Sequence, residues 1–579
     1  MADSPAALEL AHLSSRQRRQ LLPASAYQTM VWAVVVVLVV GPIAPLIYTS
    51  LRSKPYYLPG SVWTFEPYRT LFADHLFWEA VKNTLIFAVL TTAGSVIVGT
   101  AFAVLTVRTD LPGRRWLPWL LVSPIVIPPL ALVVGWMSIY GPSGYLTQVA
   151  SNLGLPVWNL SSLVGMAVLG TVVTVPISFL TCRAALHGAD PALERAGLAS
   201  GASPLRVMSR VTVPLLRPAM LNAAMLVFAV SLEILGIPLF VGAPGRITFY
   251  STYLYNGWIN GTVPDPPFVS AGAVLLLVVV SSLLLLRTLA LGSEERFVVG
   301  AAGATESDRP LELGRWRWIA ASATLGFVAL TSFVPLIGLA VMSGVKVLTT
   351  LKPPWELGTS ANWSAVLHDP ILHRSVINSL TIAAFGAVLT VALVATATII
   401  AHRSQFRARR SIPALLMYPR AVPGIVLGIG IFWSYLMLGN TGRPLRITIW
   451  GEMVALCIRN LTLVYVVVYP SLVRISPSLG QAAAAAGATW WQTTWRIIVP
   501  ILRPALLIAG ALMFIAVLGD YDPVVFLQKP GTELMGVTML HAWQKGLTGP
   551  VAALAVAQVA FVAAVVAITA VVYRRVSRA

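Results

Sequence analysis

Charged side chains are scarce in this chain of 579 residues: Lys, Arg, Asp and Glu together make up 11% of it, against about 25% in ordinary soluble domains. That scarcity excludes a water-soluble fold of this size, and lipid is the expected solvent for most of the chain. Only two cysteines are present, Cys182 and Cys457, both within or at the end of apolar runs and in different halves. Neither a disulfide framework nor a cysteine metal site is indicated. The dipeptide Gly-Lys never occurs, so a G-x-x-x-x-G-K-[ST] loop that cradles ATP phosphates is excluded. H-E-x-x-H and G-x-S-x-G are missing too. The chain is expected to be no enzyme, to carry no cofactor or metal of its own, and to take any power stroke from a separate subunit.

Hydrophobic residues, in contrast, make up 57% of the chain. Windows of the roughly 20 apolar residues that cross a hydrocarbon core recur along the whole length, at about 30–49, 84–106, 116–139, 162–181, 219–240, 269–291, 317–342, 379–401, 412–436, 449–469, 505–526 and 550–573. The first starts some thirty residues in and is followed by eleven more, which reads as a spanning helix and not a cleaved signal peptide. Twelve crossings place both termini on one side. The expected fold is an all-α integral membrane protein of twelve transmembrane helices.

The formal charge of +19 comes from arginines spread over helix ends, not gathered into a basic domain. Topology and anionic headgroups account for it, and no nucleic-acid partner is expected. Arg16, Arg18 and Arg19 precede the first span; Arg108, Arg114 and Arg115 follow the second; Arg403, Arg407, Arg409 and Arg410 follow the eighth; Arg574, Arg575 and Arg578 end the chain. All fall on one face of a twelve-span topology. Short basic loops stay in the cytoplasm, so both termini are expected there, in a bacterial inner membrane.

The chain also repeats itself. Asn83-Thr84-Leu85 matches Asn378-Ser379-Leu380, and Pro124 and Pro128 match Pro419 and Pro423, at a common offset of 295. Further on the offset is 286, so the first half carries about nine extra residues between its third and fourth spans. The resulting division is a terminal segment 1–28, a six-span half 29–291, a linker 292–315 and a second six-span half 316–579, related by a pseudo-two-fold axis. The linker, which has no apolar run, reads as a flexible connector on the cytoplasmic side. Transport pathways commonly form at such repeat interfaces.

The 286 offset comes from one loop present twice. Glu194-Arg195-Ala196-Gly197-Leu198-Ala199-Ser200-Gly201 leads to Val213-Pro214 and Arg217-Pro218; Gln481-Ala482-Ala483 leads to Gly487, then Val499-Pro500 and Arg503-Pro504. Each glycine precedes its first proline by 13 positions. Small residues let a partner approach the backbone closely, and each glycine supplies the positive-φ break that ends a helix. In the first copy Ser203 and Pro204 mark a second short helix, as N-cap and first helical residue.

This E-A-A-x-x-x-G loop followed by a hydrophobic-Pro pair resembles the cytoplasmic loop of binding-protein-dependent ABC importer permeases. The resemblance implies two copies of a cytoplasmic ATPase, which bind the ATP, docked on loops containing Glu194, Ala196, Gly197, Gly201, Gln481, Ala482, Ala483 and Gly487. It also implies an extracytoplasmic solute-binding protein. The sequence departs from the family at the acidic position six before the glycine, which is Arg195 in one copy and Gln481 in the other. Arg108 to Arg115, Gly236-Ile237-Pro238 with Val241 to Gly245, and Pro419 to Gly424 look like the fused ferric-iron importer permeases. Thiamine, polyamine and aminoethylphosphonate permeases share much of this pattern. An ion-gradient-driven secondary transporter with two six-helix halves is the alternative from another class, and it gives no account of the paired loops.

Charges inside spans are costly and usually face a cavity. Glu233, Arg420, Arg459, Asp520 and Asp522 are the candidates for a translocation path. Pairing among them, such as Arg459 with an acidic residue of the eleventh span, is the competing reading. Pro124, Pro128, Pro419 and Pro423 are placed to break the third and ninth spans beside that path. His368, Asp369 and His373 read as an amphipathic surface helix and not a metal site, and only Asp369 recurs in the first half, as Asp74.

Overall fold

The computed structural model describes residues 15–190, 192–259, 265–291 and 311–576. Much of the expected terminal segment 1–28, most of the linker 292–315 and the terminal Arg578 lie outside the described residues. Within them are eight helices long and apolar enough to cross a membrane, and four bent pairs that raise the number to twelve. In chain order these are α1 (Ala26–Ser50), α2 (His75–Arg108), α3 (Leu117–Val126 with Pro129–Asn152), α4 (Leu163–Gly188), α5 (Pro204–Leu215 with Arg217–Glu233), α6 (Pro266–Ala290), α7 (Trp316–Ser343), α8 (Pro370–Arg403), α9 (Ser411–Ala421 with Gly424–Met437), α10 (Ile449–Arg459 with Leu461–Val473), α11 (Trp490–Gly519) and α12 (Thr548–Val576). The order gives two six-helix halves. Helix is the only open-ended way to satisfy every backbone group in lipid, which is why apolar runs of this length fold so.

α2 and α8 are the longest, at 34 residues each, or about 51 Å at 1.5 Å per residue. Both outlast the roughly 30 Å hydrocarbon core. Each starts on the same device: Asp74 Oδ1 accepts from Leu76 N at 2.9 Å, and Asp369 Oδ1 accepts from Ile371 N at 2.9 Å and Leu372 N at 3.0 Å. The recurrence of Asp369 as Asp74 is therefore helix capping. The surface-helix reading of this segment holds only in part. His368 ends the short helix Ala361–His368, but His373 belongs to the first turns of α8 itself. Among the described residues no three His, Cys, Asp or Glu side chains are grouped to hold a metal ion.

The prolines break α3 and α9, bending them by 100° and 109°. Pro128 and Pro423 sit in extended backbone, at φ/ψ of −53°/130° and −56°/144°. Each also steers its preceding residue away from helix.

Two spans stop earlier than hydropathy predicts. α5 ends at Glu233 and α11 at Gly519, whereas apolar character continues to about 240 and 526. The continuing residues, Leu235, Ile237, Phe240 and Val241 in one half and Val524, Val525, Phe526 and Leu527 in the other, are buried in the bundle. Burial in protein and burial in lipid leave the same mark on a sequence. After a break at residues 234–235 the first half resumes as a π turn, Pro238–Gly242, whereas residues 522–527 of the second are irregular turns; such interruptions are tolerated at depth because protein surrounds them.

The repeated Asn-[Thr/Ser]-Leu motif holds the backbone just after these segments. Asn83 Nδ2 donates to Thr248 O at 3.1 Å, and Thr84 Oγ1 accepts from Tyr250 N at 2.8 Å. Asn378 Nδ2 donates to Glu533 O at 3.0 Å, and Ser379 Oγ accepts from Met535 N at 2.9 Å.

Candidate functional site

The two signature loops fold alike. The first is the helix Ala192–Ala199, closed by Gly201 at φ +82°; the second is the helix Pro477–Ala485, closed by Gly487 at φ +83°. Behind each glycine the same pair of bonds forms. Gly201 N donates to Leu198 O at 2.9 Å and Ala202 N to Gly197 O at 3.2 Å; Gly487 N donates to Ala484 O and Ala488 N to Ala483 O, both at 2.9 Å. This left-handed cap is open to glycine at no steric cost.

The second short helix starts at Pro204, with Ser203 in N-cap geometry but without a side-chain capping bond. Its counterpart is held by a full capping box, Thr489 with Gln492. Both then pass through a five-residue π turn, Met208–Thr212 and Thr494–Ile498, 286 positions apart. The cause is the proline that follows, Pro214 or Pro500, which has no N–H for the carbonyl four residues back and clashes with it.

Of the predicted loop residues, Ala196, Gly201, Gln481, Ala482 and Gly487 are exposed. Gly197 faces inward, where a Cβ would meet Val207 Cγ2 at 3.2 Å, and its counterpart Ala483 is buried. Glu194 is turned away from any docking partner. Its carboxylate lies 3.3 Å from Arg108 Nε and accepts from Thr212 Oγ1 at 2.8 Å. A carboxylate at this depth needs a cation and donors, and the end of α2 provides them.

Arg108 is a residue that topology alone had explained as a positive-inside charge. Its Nη2 also donates to Leu186 O and Ala189 O, both at 3.0 Å, closing the last turn of α4. Arg403, 295 positions later, does the same to Leu472 O, at 3.0 Å, and Ile475 O beyond α10. The shared offset is the signal that could have revealed them. Other helix ends meet at this side of the bundle. Tyr27 of α1 packs on Trp491 with ring centres 4.6 Å apart, and Leu311, at the end of the linker, donates to Arg108 O at 2.8 Å.

The intramembrane charges converge where the helices break. Arg459 Nη2 is 2.9 Å from Glu233 Oε1, and Arg459 Nη1 donates to Val422 O at 2.6 Å, a carbonyl freed by the break in α9. The partner of Arg459 is thus α5 of the opposite half, not the eleventh span. Asp520 and Asp522, just past the end of α11, act on the same guanidinium from farther off. Arg420 is exposed on the tight turn Tyr418–Ala421 beside this cluster.

Glycines let the chain close in. A Cβ on Gly424 would lie 2.6 Å from Asp522 Cβ, and one on Gly428 would collide with the carbonyl oxygen of Pro523. Glu233 Oε2 and Asp522 Oδ1 are buried without a hydrogen-bond partner. Glu452, an intramembrane acid that the sequence reading passed over, is buried and accepts from Thr532 Oγ1 at 2.6 Å.

Two six-helix halves with broken spans, a charged junction between them and a matching loop at one end of each define a multi-pass membrane transport subunit. The chain belongs to the family of binding-protein-dependent transport system inner membrane components, whose profile matches residues 95–291 and again 393–578. It is 27% identical over 472 residues to a putative ferric transport system permease protein of Haemophilus influenzae, covering 79% of this chain and 71% of that one. It is 25% identical over 485 residues to a ferric transport system permease protein of Actinobacillus pleuropneumoniae, covering 81% and 68%. A putative 2-aminoethylphosphonate transport system permease protein of Salmonella choleraesuis is 27% identical over 232 residues, 38% of this chain and 79% of its own length.

Proposed function

We propose that this chain is the permease of an ABC importer that receives ferric iron from an extracytoplasmic binding protein and releases it into the cytoplasm. Two copies of a separate ATPase dock on the two signature loops. The observation that carries this reading is the pair of matching glycine-capped helices, each presenting an exposed small-residue surface at one end of the bundle. ATP binding draws the ATPases together, the loops pass that closure to α5 and α11, and the cavity opens outward; hydrolysis resets it. Both termini are cytoplasmic.

The path runs through the junction of the halves. Glu233 and Arg459 come from opposite halves, so their ion pair parts when the halves separate. Parting frees Glu233 to face a cation, while Asp520 and Asp522 stay with Arg459 in the second half and Arg420 stands at the rim. Iron is favoured as cargo because the ferric relatives match across both halves. The aminoethylphosphonate permease, which matches over a shorter stretch, is the source of the second reading.

The test is co-purification of the tagged permease from its native membrane together with uptake of radioiron. Gly201→Asp with Gly487→Asp is expected to abolish both ATPase recovery and uptake while the protein remains in the membrane. Glu233→Gln and Asp520→Asn are expected to lower uptake with the ATPase still bound. Normal uptake in the glycine double variant refutes the coupling loops; uptake of a phosphonate in place of iron replaces the cargo.

A further inference from the structure

The two loops are alike in backbone and unlike in how they are fastened. In the first half, Arg108 holds the end of α4 through two carbonyls and also faces Glu194, whose carboxylate takes a further bond from Thr212 in the π turn. Four segments thus meet in one buried knot: the end of α2, the end of α4, the first turn of the loop helix and the root of α5. In the second half Arg403 holds the end of α10 in the same way. At the positions 286 further on from Glu194 and Thr212 stand Gly480 and Ile498, which offer neither carboxylate nor hydroxyl. Trp490 Nε1 donates to Arg403 O at 3.2 Å instead. Among the described residues, Arg403 forms no ion pair.

The continuation differs as well. α5 is bent by 62° between Leu215 and Arg217, whereas α11 runs from Trp490 to Gly519 as one helix.

We propose that Arg108 and Glu194 form a latch that makes the two halves unequal in coupling: the first loop moves as one body with α2 and α4, and the second moves on its own. The proposal rests on the coupling role given to the loops above. Its physical basis is burial. Both latch side chains are about 5% exposed, and a buried charge pair resists separation because either partner alone is left unsatisfied. The second loop has no such pair to lose. Arg108 and Glu194 are positioning residues, acting on the partner ATPase only through the loop helix.

Hydrogen exchange of the full-length permease tests the latch without reference to transport. In the unaltered protein the amides of Ala192–Ala199 are expected to exchange more slowly than those of Pro477–Ala485. Glu194→Gln is expected to speed the first set by about tenfold or more, the scale of a lost buried charge contact, and to leave the second set unchanged. Arg108→Gln with Glu194→Gln, which leaves no unpaired charge, is expected to keep the fast exchange. Gly480→Glu, at a position where an added Cβ meets nothing within 4 Å, is expected to slow exchange in the second loop by facing Arg403.

The functional arm is the number of solute molecules imported per ATP hydrolysed, with the ATPase that co-purifies. In the Glu194→Gln variant this ratio is expected to fall below that of the unaltered protein while hydrolysis persists. Unchanged exchange and an unchanged ratio in that variant overturn the latch. Retention of the ATPase by the Gly201→Asp, Gly487→Asp variant overturns the docking role of the loops, and the exchange arm still decides on the latch.

Discussion

Removal of Arg459 is the sharpest perturbation of the junction between the halves. Its guanidinium lies 2.9 Å from Glu233 Oε1 and 2.6 Å from Val422 O, with side-chain exposures of 13% for Arg459 and 10% for Glu233. At an effective dielectric of about 20, unit charges at that separation attract by about 6 kcal/mol. Desolvation of both ions offsets much of this, and loss of one partner from such a pair typically costs about 3–5 kcal/mol. Arg459→Gln and Glu233→Gln are each expected to fall in that range. The double variant leaves neither charge behind, so its cost is expected to be smaller than the sum by about 2 kcal/mol or more. Denaturation of the purified permease in mixed micelles measures all four corners of the cycle. Costs that add to within about 0.5 kcal/mol would refute the contact between halves.

Three further predictions concern the frame around the junction. Asn378→Ala removes the bond to Glu533 O and is expected to cost about 1–3 kcal/mol, with faster exchange in residues 531–535 than elsewhere. Gly428→Ala places a methyl against the backbone oxygen of Pro523, which cannot rotate away. It is expected to cost about 1–3 kcal/mol and to lower the yield of folded protein, whereas Gly326→Ala, with nothing within 4 Å, is expected to have little effect. Asp110→Ala removes the acceptor for Leu313 N at 2.9 Å and the partner of Arg317 at 3.8 Å. It is expected to quicken amide exchange at Leu313 and its described neighbours, residues 311–315, without changing the melting of the bundle.

Much of the architecture was legible because lipid imposes a simple rule. Apolar length gave the spans, and the 295 and 286 offsets gave the two halves. Glycines 201 and 487 announced their own positive φ, and the prolines of α3 and α9 announced their breaks. What escaped was whatever depends on partners distant in sequence. Glu194 was read as part of a docking surface because the resemblance to importer coupling loops implies it; only the fold brings Arg108 and Thr212 beside it. Arg459 found its carboxylate in the opposite half, a pairing no local pattern encodes. Phe240 and Phe526 were counted inside spans because hydropathy does not distinguish a lipid-facing helix from a short π turn, in the first case, or an irregular turn, in the second, buried in protein. Asn83 and Asn378, used at first only to align the repeats, anchor the backbone that follows these segments, at Thr248 and Glu533. The described end of the linker is likewise more than a tether, since Leu311 and Leu313 are bonded to Arg108 and Asp110.

The central claim is that two equivalent surfaces, one on each loop, receive the same ATPase. A photo-crosslinking residue placed at the exposed positions of Ala196 or Ala482, irradiated in native membranes and followed by mass spectrometry of the adducts, tests it most directly. The account predicts that both positions capture one and the same nucleotide-binding ATPase. Capture of no ATPase at either position, in a permease that still drives uptake when an ion gradient alone is imposed, would contradict it.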